Sequence, residues 1–361
     1  MNEETKLLEI RGRIDALDDE LLALINRRAS LAQDVARIKR EAGDEIVIRR
    51  PAREAELLRR LVDANPGPLA NDEVARLFRE IISACRGLEK PMGIAFLGPQ
   101  GTFTQAAALK HFGHSVQTVP MDNIDAVFRE VESRSVDYGV VPIENSTEGV
   151  ISHTLDRFAQ SALCISGEVE MRIHHHLLGK DDDMRSIERI YSHQQSLAQC
   201  RKWLDTHLPT VECVSVNSNA EAARRAAGEE RAAAIAGDQA AEIYGLRIVS
   251  KNIEDQPDNT TRFLIIGHHS VPPTGGDKTS LLLSAKDRPG ALFYLLEPFA
   301  QRKISMTRIE SRPSQSGLWE YVFFVDIEGH AEEANVQEAL VEIKDRAALF
   351  KVLGSYPRAD V

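Results

Sequence analysis

The chain has 361 residues, 43% of them hydrophobic and 27% charged, which is close to globular averages and enough material for two or three domains. A net charge of −11 argues against a nucleic-acid partner for the chain as a whole. No apolar run approaches the roughly 20 residues that a membrane span needs, so no membrane association is expected. The charge is unevenly spread. Residues 1–90 hold 17 basic and 18 acidic side chains, so nearly all the net negative charge belongs to the remainder, and the basic-enriched N-terminal segment points to a local anionic ligand. Cys85, Cys164, Cys200 and Cys213 are scattered and form no Cys-x-x-Cys pair, which argues for a reducing compartment and against a zinc knuckle or disulfide frame. The acidic N-terminus lacks the apolar core of a secretion signal. These features together predict a cytoplasmic protein.

The first segment reads as helical throughout. Leu7, Ile10, Ile14, Leu17, Leu21, Leu24, Leu31, Val35 and Ile38 recur at helical spacing, no proline interrupts Thr5–Glu41, and Gly43 is a plausible stop. One rod of that length cannot bury its own stripe within 90 residues, so a dimer through this segment is expected. A second helix is predicted over Arg50–Ala64, with Pro51 in its first turn. Asn65-Pro66-Gly67-Pro68 breaks the chain, and a third helix runs from an Asn71 cap to Leu88.

From about 91 to 268, short apolar runs alternate with helical stretches. Gly93–Leu97, Tyr138–Ile143, Ile190–Ser192, Ala232–Ala236 and Arg262–Gly267 read as buried strands; Phe103–Phe112, Ile124–Glu132, Gln195–His207 and Ala220–Gly228 read as helices. The alternation predicts parallel α/β sheets, in two small lobes around a cleft. A turn-rich linker, His268–Asp277, leads into strand Thr279–Ala285, a turn at Asp287–Gly290 into a helix through Phe299, strands Ile304–Glu310 and Trp319–Ile327, a helix at Asn335–Arg346 and a strand at Lys351–Tyr356. That βαββαβ order is a ferredoxin-like α+β unit.

On the first helix Arg28 and Lys39 are about three turns apart and share a side, whereas Arg11 lies about 100° round from Arg28 and would reach the pocket of an antiparallel partner instead. Arg53 and Glu54 open the second helix, and Cys85 and Glu89 share a face of the third. The Ile10–Asp18 opening, Arg28, Lys39 and the Arg53-Glu54 pair together resemble the all-helical chorismate mutase family over nearly all of 1–90. The resemblance implies a unimolecular Claisen rearrangement of chorismate to prephenate, needing no metal or cofactor. It places the substrate carboxylates on Arg28 and the partner's Arg11, with Arg53 outside them, Lys39 on the ether oxygen and Glu54 on the hydroxyl. Guanidinium forks suit a dianion. Many members carry glutamine where this chain has Glu89. A carboxylate there would repel charge developing on the ether oxygen, so Glu89 is expected to act protonated and mutase activity to fall as pH rises. Cys85 stands where some members have serine.

The middle segment carries four polar stretches at turns or strand ends: Gly98–Phe103, Pro142–Gly149, Ser192–Ser196 and Asp258–Phe263. A glycine turn into a helix start is a ready anion site, and ligands favour the C-terminal edge of open α/β sheets. The first stretch is not Gly-x-Gly-x-x-Gly, which disfavours a dinucleotide cofactor. Glu-Asn-Ser at 144–146 and Thr-Arg-Phe at 261–263, in that order, closely resemble prephenate dehydratase over essentially all of 91–268. The implied fold is two-lobed and periplasmic-binding-protein-like, and the implied reaction is loss of carbon dioxide and water from prephenate to give phenylpyruvate. Thr261 is then expected at the leaving hydroxyl, with Asn145, Ser146, Gln195 and Thr102 positioning substrate and Arg262 attracting its carboxylates. His193 is an alternative acid. Successive residues of His174-His175-His176 face opposite ways on a strand, a poor metal site.

Gly290-Ala291-Leu292 at a helix start and Glu310-Ser311-Arg312-Pro313-Ser314 after a strand resemble the phenylalanine-binding elements of an ACT regulatory domain. The resemblance implies end-product inhibition by phenylalanine and a second self-contact, so a dimer or a tetramer. The domains are expected at 1–90, 91–268 and 278–358. Two rival readings are weighed: a mutase fused to a dehydrogenase, against which the missing dinucleotide fingerprint argues, and a mutase fused to a non-catalytic amino-acid-sensing module, against which the chemical completeness of both sites argues.

Overall fold

The computed structural model describes residues 3–41, 49–285, 288–313 and 321–359; the expectations at Gly43, Asp287, Ser314 and Trp319 lie outside them. The chain divides into two compact units, one made of described residues within Met1–Arg50, Leu57–Met92 and Phe112–Gln117, the other of Pro51–Glu56, Gly93–His111 and the described residues from Thr118 onward. No described helix is long and apolar enough to cross a membrane.

Helix α1 (Glu3–Glu41) is unbroken, with Glu3 and Glu4 in its first turn and Lys39 and Arg40 in its last, each complementing the helix dipole. Its 39 residues span about 58 Å. Only Ala36 is buried, and all nine residues of the apolar stripe are exposed on the single chain. Helix α2 (Pro51–Asp63) starts on its proline. Helix α3 (Asn71–Gly87) differs from expectation at both ends. Asn71 is its first helical residue rather than its cap, because its Oδ1 accepts from Asn65 Nδ2 at 2.8 Å and so ties down the preceding loop. At the other end the helix stops at Gly87, and the Glu89 amide donates to the Arg86 carbonyl at 2.9 Å. That tightened turn takes Glu89 off the helical face it was expected to share with Cys85.

After the three helices come β1 (Gly93–Leu97), α4 (Phe103–Phe112), β2 (Gln117–Met121), α5 (Ile124–Glu132), β3 (Tyr138–Asn145), β4 (Gly149–Val150), α6 (Ser152–Gln160) and β5 (Cys164–Arg172). A second lobe follows: β6 (His176–Gly179), β7 (Arg189–His193), α7 (Gln194–Gln199), α8 (Arg201–His207), β8 (Glu212–Val216), α9 (Asn219–Gly228), β9 (Ala232–Ala236), α10 (Asp238–Tyr244) and β10 (Arg247–Ser250). The chain then returns through β11 (Thr260–Gly267) to the first sheet, ordered β2-β1-β3-β11-β5, with β4 on β3; the second is β10-β6-β9-β7-β8.

These sheets are mixed rather than parallel. β1 and β3 are parallel, as are β7 with β8 and β9, but β11 runs antiparallel to both β3 and β5, and β6 antiparallel to β9 and β10. The returning strand enters between two strands already laid down, a long-range pairing that local pattern does not encode. The expected helix over Gln195–His207 is likewise two helices. The amides of Lys202 and Trp203 donate to the Asp255 carboxylate at 3.0 and 3.3 Å, so a side chain more than 50 residues away caps α8 and breaks the run at Cys200.

The C-terminal part has the expected order: β12 (Asp277–Ala285), α11 (Ala291–Gln301), β13 (Met306–Pro313), β14 (Tyr321–Glu328), α12 (Ala334–Arg346) and β15 (Ala347–Pro357), in an antiparallel sheet β13-β14-β12-β15. Leu281, Leu283, Val325 and Ile327 pack under α11 and α12. The alternate residues Leu282 and Phe324, with Leu353 and Tyr356, join the core of the first lobe. Both faces of β12 and β14 are thus covered. At the closest approach a Cβ built on Gly354 would lie 2.2 Å from the Ile165 carbonyl oxygen. Replacing Gly354 with alanine should therefore force β15 away from β5 and destabilise the chain by about 1–3 kcal/mol, read as a lower midpoint in denaturant unfolding.

Candidate active sites

Asn145 ends β3 and Thr261 lies directly opposite it on β11. Asn145 Oδ1 accepts from the backbone amides of Thr147 and Glu148, both at 3.0 Å, which fixes the orientation of its side chain. Its Nδ2 must then point the other way, and it donates to Thr261 Oγ1 at 2.7 Å and Asn259 Oδ1 at 2.9 Å. Thr261 is therefore an acceptor toward Asn145, and its hydroxyl proton has no acceptor among the described residues. Asn259 Oδ1 also accepts from Thr147 Oγ1, and Asn259 Nδ2 donates to Gln199 Oε1 at 3.2 Å. Gln199 Nε2 and Gln195 Nε2 both donate to the Glu148 carboxylate, at 3.3 and 3.0 Å. Glu148 thereby joins the turn after β3 to α7 in the second lobe.

Ser146 accepts from the Thr260 amide at 2.9 Å, leaving its own proton free. Thr102 is used differently from expectation: its hydroxyl donates to the Leu97 carbonyl at 3.0 Å and receives the Gln105 amide, so the side chain caps α4. His193 caps α7, its Nδ1 accepting from the Gln195 amide, which leaves Nε2 as the free ring nitrogen. Asn259, Thr147, Glu148, Gln199 and His175 are not among the expected site residues. The first three sit inside the quoted stretches and His175 inside the histidine run, whereas Gln199 carries no local signal. His175 Nε2 is 2.8 Å from Gln199 Oε1, which already accepts from Asn259, so the histidine donates. His174 and His176 go to other partners, Glu254 at 2.8 Å and Asp238 at 3.2 Å.

Arg262 is not in the cleft. Alternation along β11 turns it to the opposite face from Thr261. There its Nε meets Glu168 Oε2 at 2.7 Å, Nη1 meets Asp326 Oδ2 at 2.7 Å, and Nη2 donates to the Tyr356 hydroxyl at 3.1 Å. Lys278 Nζ donates to Glu168 Oε1 at 2.8 Å, and Ser280 Oγ to Asp326 Oδ1 at 2.6 Å. Burial alone would lower the Arg262 pKa, but Tyr356, Asp326 and Glu168 outweigh it and hold the guanidinium firmly charged. Burial, with Asp326, pushes the Tyr356 phenol well up, so it stays a donor. Held by three partners on the face away from Thr261, the guanidinium is not placed to meet a substrate carboxylate in the cleft.

In the helical unit, Arg28 and Lys39 are half-buried on α1, and Arg28 Nη1 reaches the Ile81 carbonyl at 3.5 Å. Arg11 is exposed among the apolar stripe. Cys85 is buried in α3, and Glu89 is half-buried beyond its end. On α2, Arg53 is exposed and paired with Glu56 at 2.9 Å, and Glu54 is buried.

In the C-terminal part Gly290 has φ +75°, precedes Ala291 and Leu292 at the start of α11, and no side chain among the described residues caps that helix. Glu310, Ser311, Arg312 and Pro313 lie on β13, the edge strand. Arg312 is turned onto Asp156 of α6, with Nε 3.2 Å from Oδ1, which takes its side chain out of the expected effector set.

Comparison with known proteins accounts for all three parts. The family model of prephenate dehydratase matches residues 94–271, that of chorismate mutase type II matches 10–90, and that of the ACT domain matches 279–345. The bifunctional chorismate mutase/prephenate dehydratase of Pseudomonas aeruginosa is 56% identical over 99% of this chain and all of its own length. The protein of that name from Neisseria gonorrhoeae is 51% identical over 98% of this chain and 97% of its own. The crystal structure of prephenate dehydratase in complex with L-Phe from Arthrobacter aurescens is similar with a TM-score of 0.68 and 36% identity, over 74% of this chain and 90% of that one.

Burial holds the His175 imidazole below its ordinary 6.5, against the opposing pull of Gln199 and Glu254. The unfolded chain takes up this proton near 6.5 and the folded one only at lower pH. The stability tied to a neutral His175 is thus complete above that value and is lost as pH falls through the folded one. The thermal midpoint should drop between about pH 7 and about pH 5, and drop less in His175→Gln.

Proposed function

The chain belongs to the bifunctional chorismate mutase/prephenate dehydratase family, and on that premise we propose how its residues divide two reactions and their control. In the dehydratase cleft, Thr261 contacts the hydroxyl that leaves prephenate. The observation that carries this is the direction of the Asn145–Thr261 hydrogen bond: the amide donates, so the threonine proton is free for the departing oxygen. Loss of the ring carboxylate as carbon dioxide sends its bonding electrons into the ring as hydroxide departs, and the proton taken up makes water. A threonine is too weak an acid to complete that transfer, so Thr261 orients and His193, through its free Nε2, is the proton source. Ser146 and Gln195 position the substrate, which must displace the Glu148 carboxylate from the amide of Gln195. A module that only binds amino acids would have no use for a hydroxyl proton held free.

The mutase pocket holds the chorismate dianion on Arg28, with Lys39 at the ether oxygen, Glu89 donating when protonated, and Arg11 supplied by a second copy. The exposed apolar stripe of α1 is the surface that the second copy covers. The start of α11 and the edge strand β13 form the phenylalanine sensor, and Met306 and Ile309, exposed on that edge, offer the further self-contact that would turn dimers into tetramers. We read the enzyme as cytoplasmic, a reading supported by its four free cysteines, which suit a reducing compartment.

Thr261→Ala should lower dehydratase kcat by about 100-fold or more and leave the mutase intact, and Arg28→Ala should do the reverse. Phenylpyruvate formation and chorismate consumption measure the two, and loss of both activities in either folded variant would rule out independent sites. Arg11→Ala and Arg28→Ala, each inactive as a mutase alone, should regain about a quarter of the activity when unfolded together and refolded, because half the pairs then hold one intact pocket. No recovery in refolded mixed dimers would place both arginines in one chain's site.

A further inference from the structure

The face of β3 and β11 away from the cleft carries a second pair of residues, one rung back from the catalytic one. Asn145 pairs with Thr261, and Glu144 pairs with Arg262. The ACT sheet presents a matching rung, because Arg308 on β13 and Asp326 on β14 are also direct cross-strand partners. The two rungs face each other with opposite charges crossed. Arg308 Nε is 2.9 Å from Glu144 Oε2, and Arg262 Nη1 is 2.7 Å from Asp326 Oδ2. All four side chains are largely shielded, the most open being Glu144 at 38% and the others at 13% or less. Arg262, Ser280, Arg308 and Asp326 also border a small void among apolar residues of both sheets, so the charged pairs sit beside a shared apolar core.

We infer that Glu144, Arg262, Arg308 and Asp326 are positioning residues through which the ACT domain sets the alignment of Asn145 with Thr261. The inference rests on the dehydratase and sensor reading given above. Neighbouring residues of a strand share one backbone, so a pull on Glu144 or Arg262 moves the peptide that carries Asn145 or Thr261. A displacement of β13 relative to β14 acts on Glu144 and Arg262 unequally and shears the catalytic rung. Phenylalanine bound along β13 would thereby reach the cleft without touching it, as an effector must if it is to favour one arrangement over another. The catalytic pair and the coupling pair are in register on the same two strands, so no intermediate element is needed.

The test uses the full chain with Arg308→Gln, Arg308→Lys, Glu144→Gln and the Glu144→Gln/Arg308→Gln double variant. In Arg308→Gln the phenylalanine concentration for half-inhibition should rise about fivefold or more, while calorimetry still detects phenylalanine binding. Dehydratase kcat should fall with KM held within about twofold, since alignment and not substrate affinity is disturbed. Arg308→Lys keeps the cation and should recover most of the response, and the double variant should be no worse than the weaker single. Unchanged inhibition in Arg308→Gln would overturn the inference. So would loss of phenylalanine binding itself, which would put Arg308 in the sensor site, or parallel loss of mutase activity, which would make the pair a folding contact. Failure of the unsubstituted chain to form phenylpyruvate would instead refute the functional reading beneath it.

Discussion

Successive residues of a strand face opposite ways, and at the join of β3 and β11 that constraint binds chemistry to architecture. Asn145 and Thr261 face the cleft, so Glu144 and Arg262 must face the C-terminal sheet. Neither side of the ribbon can be altered without the other. The buried charges that result are costly. Taking an ion out of water costs several kcal/mol even after relaxation, and removing one partner of a buried pair costs about 3–5 kcal/mol. With side-chain exposures of 11% for Arg262, 1% for Glu168 and 6% for Asp326, these groups are tolerated only because every charge has a partner. A hydrophobic contact of the same size would hold the two sheets together at least as well. What the charged contact adds is a unique register, since crossed pairs match in one alignment only.

The cleft shows how a side chain's orientation is set from the backbone outward. The amides of Thr147 and Glu148 fix the Asn145 carboxamide, which fixes the acceptor role of Thr261 and, through Asn259, the carboxamide of Gln199. His175, buried and neutral, ends the chain by donating to Gln199. Two positions stay open, the Thr261 hydroxyl proton and the buried His175 Nδ1, neither of which has a partner among the described residues. Glu148 stands apart because its carboxylate occupies the amides of Gln195 and Gln199, donors well suited to an anionic substrate. The helical unit works on the opposite principle. Its apolar stripe and Arg11 lie exposed on α1 in the single chain.

Much of this was legible in the residues. The period of Leu7 to Ile38 predicts α1 almost to its ends, and β1, α4, α5 and β9 have the expected limits. Asn145 and Thr261, 116 positions apart, are hydrogen-bonded partners in the structure, as motifs at two strand ends suggested. The misses share a cause. β5 and β6 lack a run that distinguishes them from their surroundings, α7 and α8 separate because Asp255 caps the second, and Asn71 is diverted by Asn65. Arg262 lies on the other side of its sheet from the one expected, since a cation beside a threonine at a strand end reads as a carboxylate ligand until its neighbours are known.

The amino-acid sequence by itself determined the local elements, their order and the kinds of side chain available for chemistry. These follow from periodicities of two and 3.6 residues and from short motifs, all within a few turns of chain. Only the tertiary structure decided that β11 returns antiparallel between β3 and β5, that Thr261 accepts rather than donates toward Asn145, and that Arg262 belongs to Glu168, Asp326 and Tyr356. Those outcomes depend on partners 64 to 127 residues away, where the competition is between alternative pairings across the whole fold and no local pattern carries the answer.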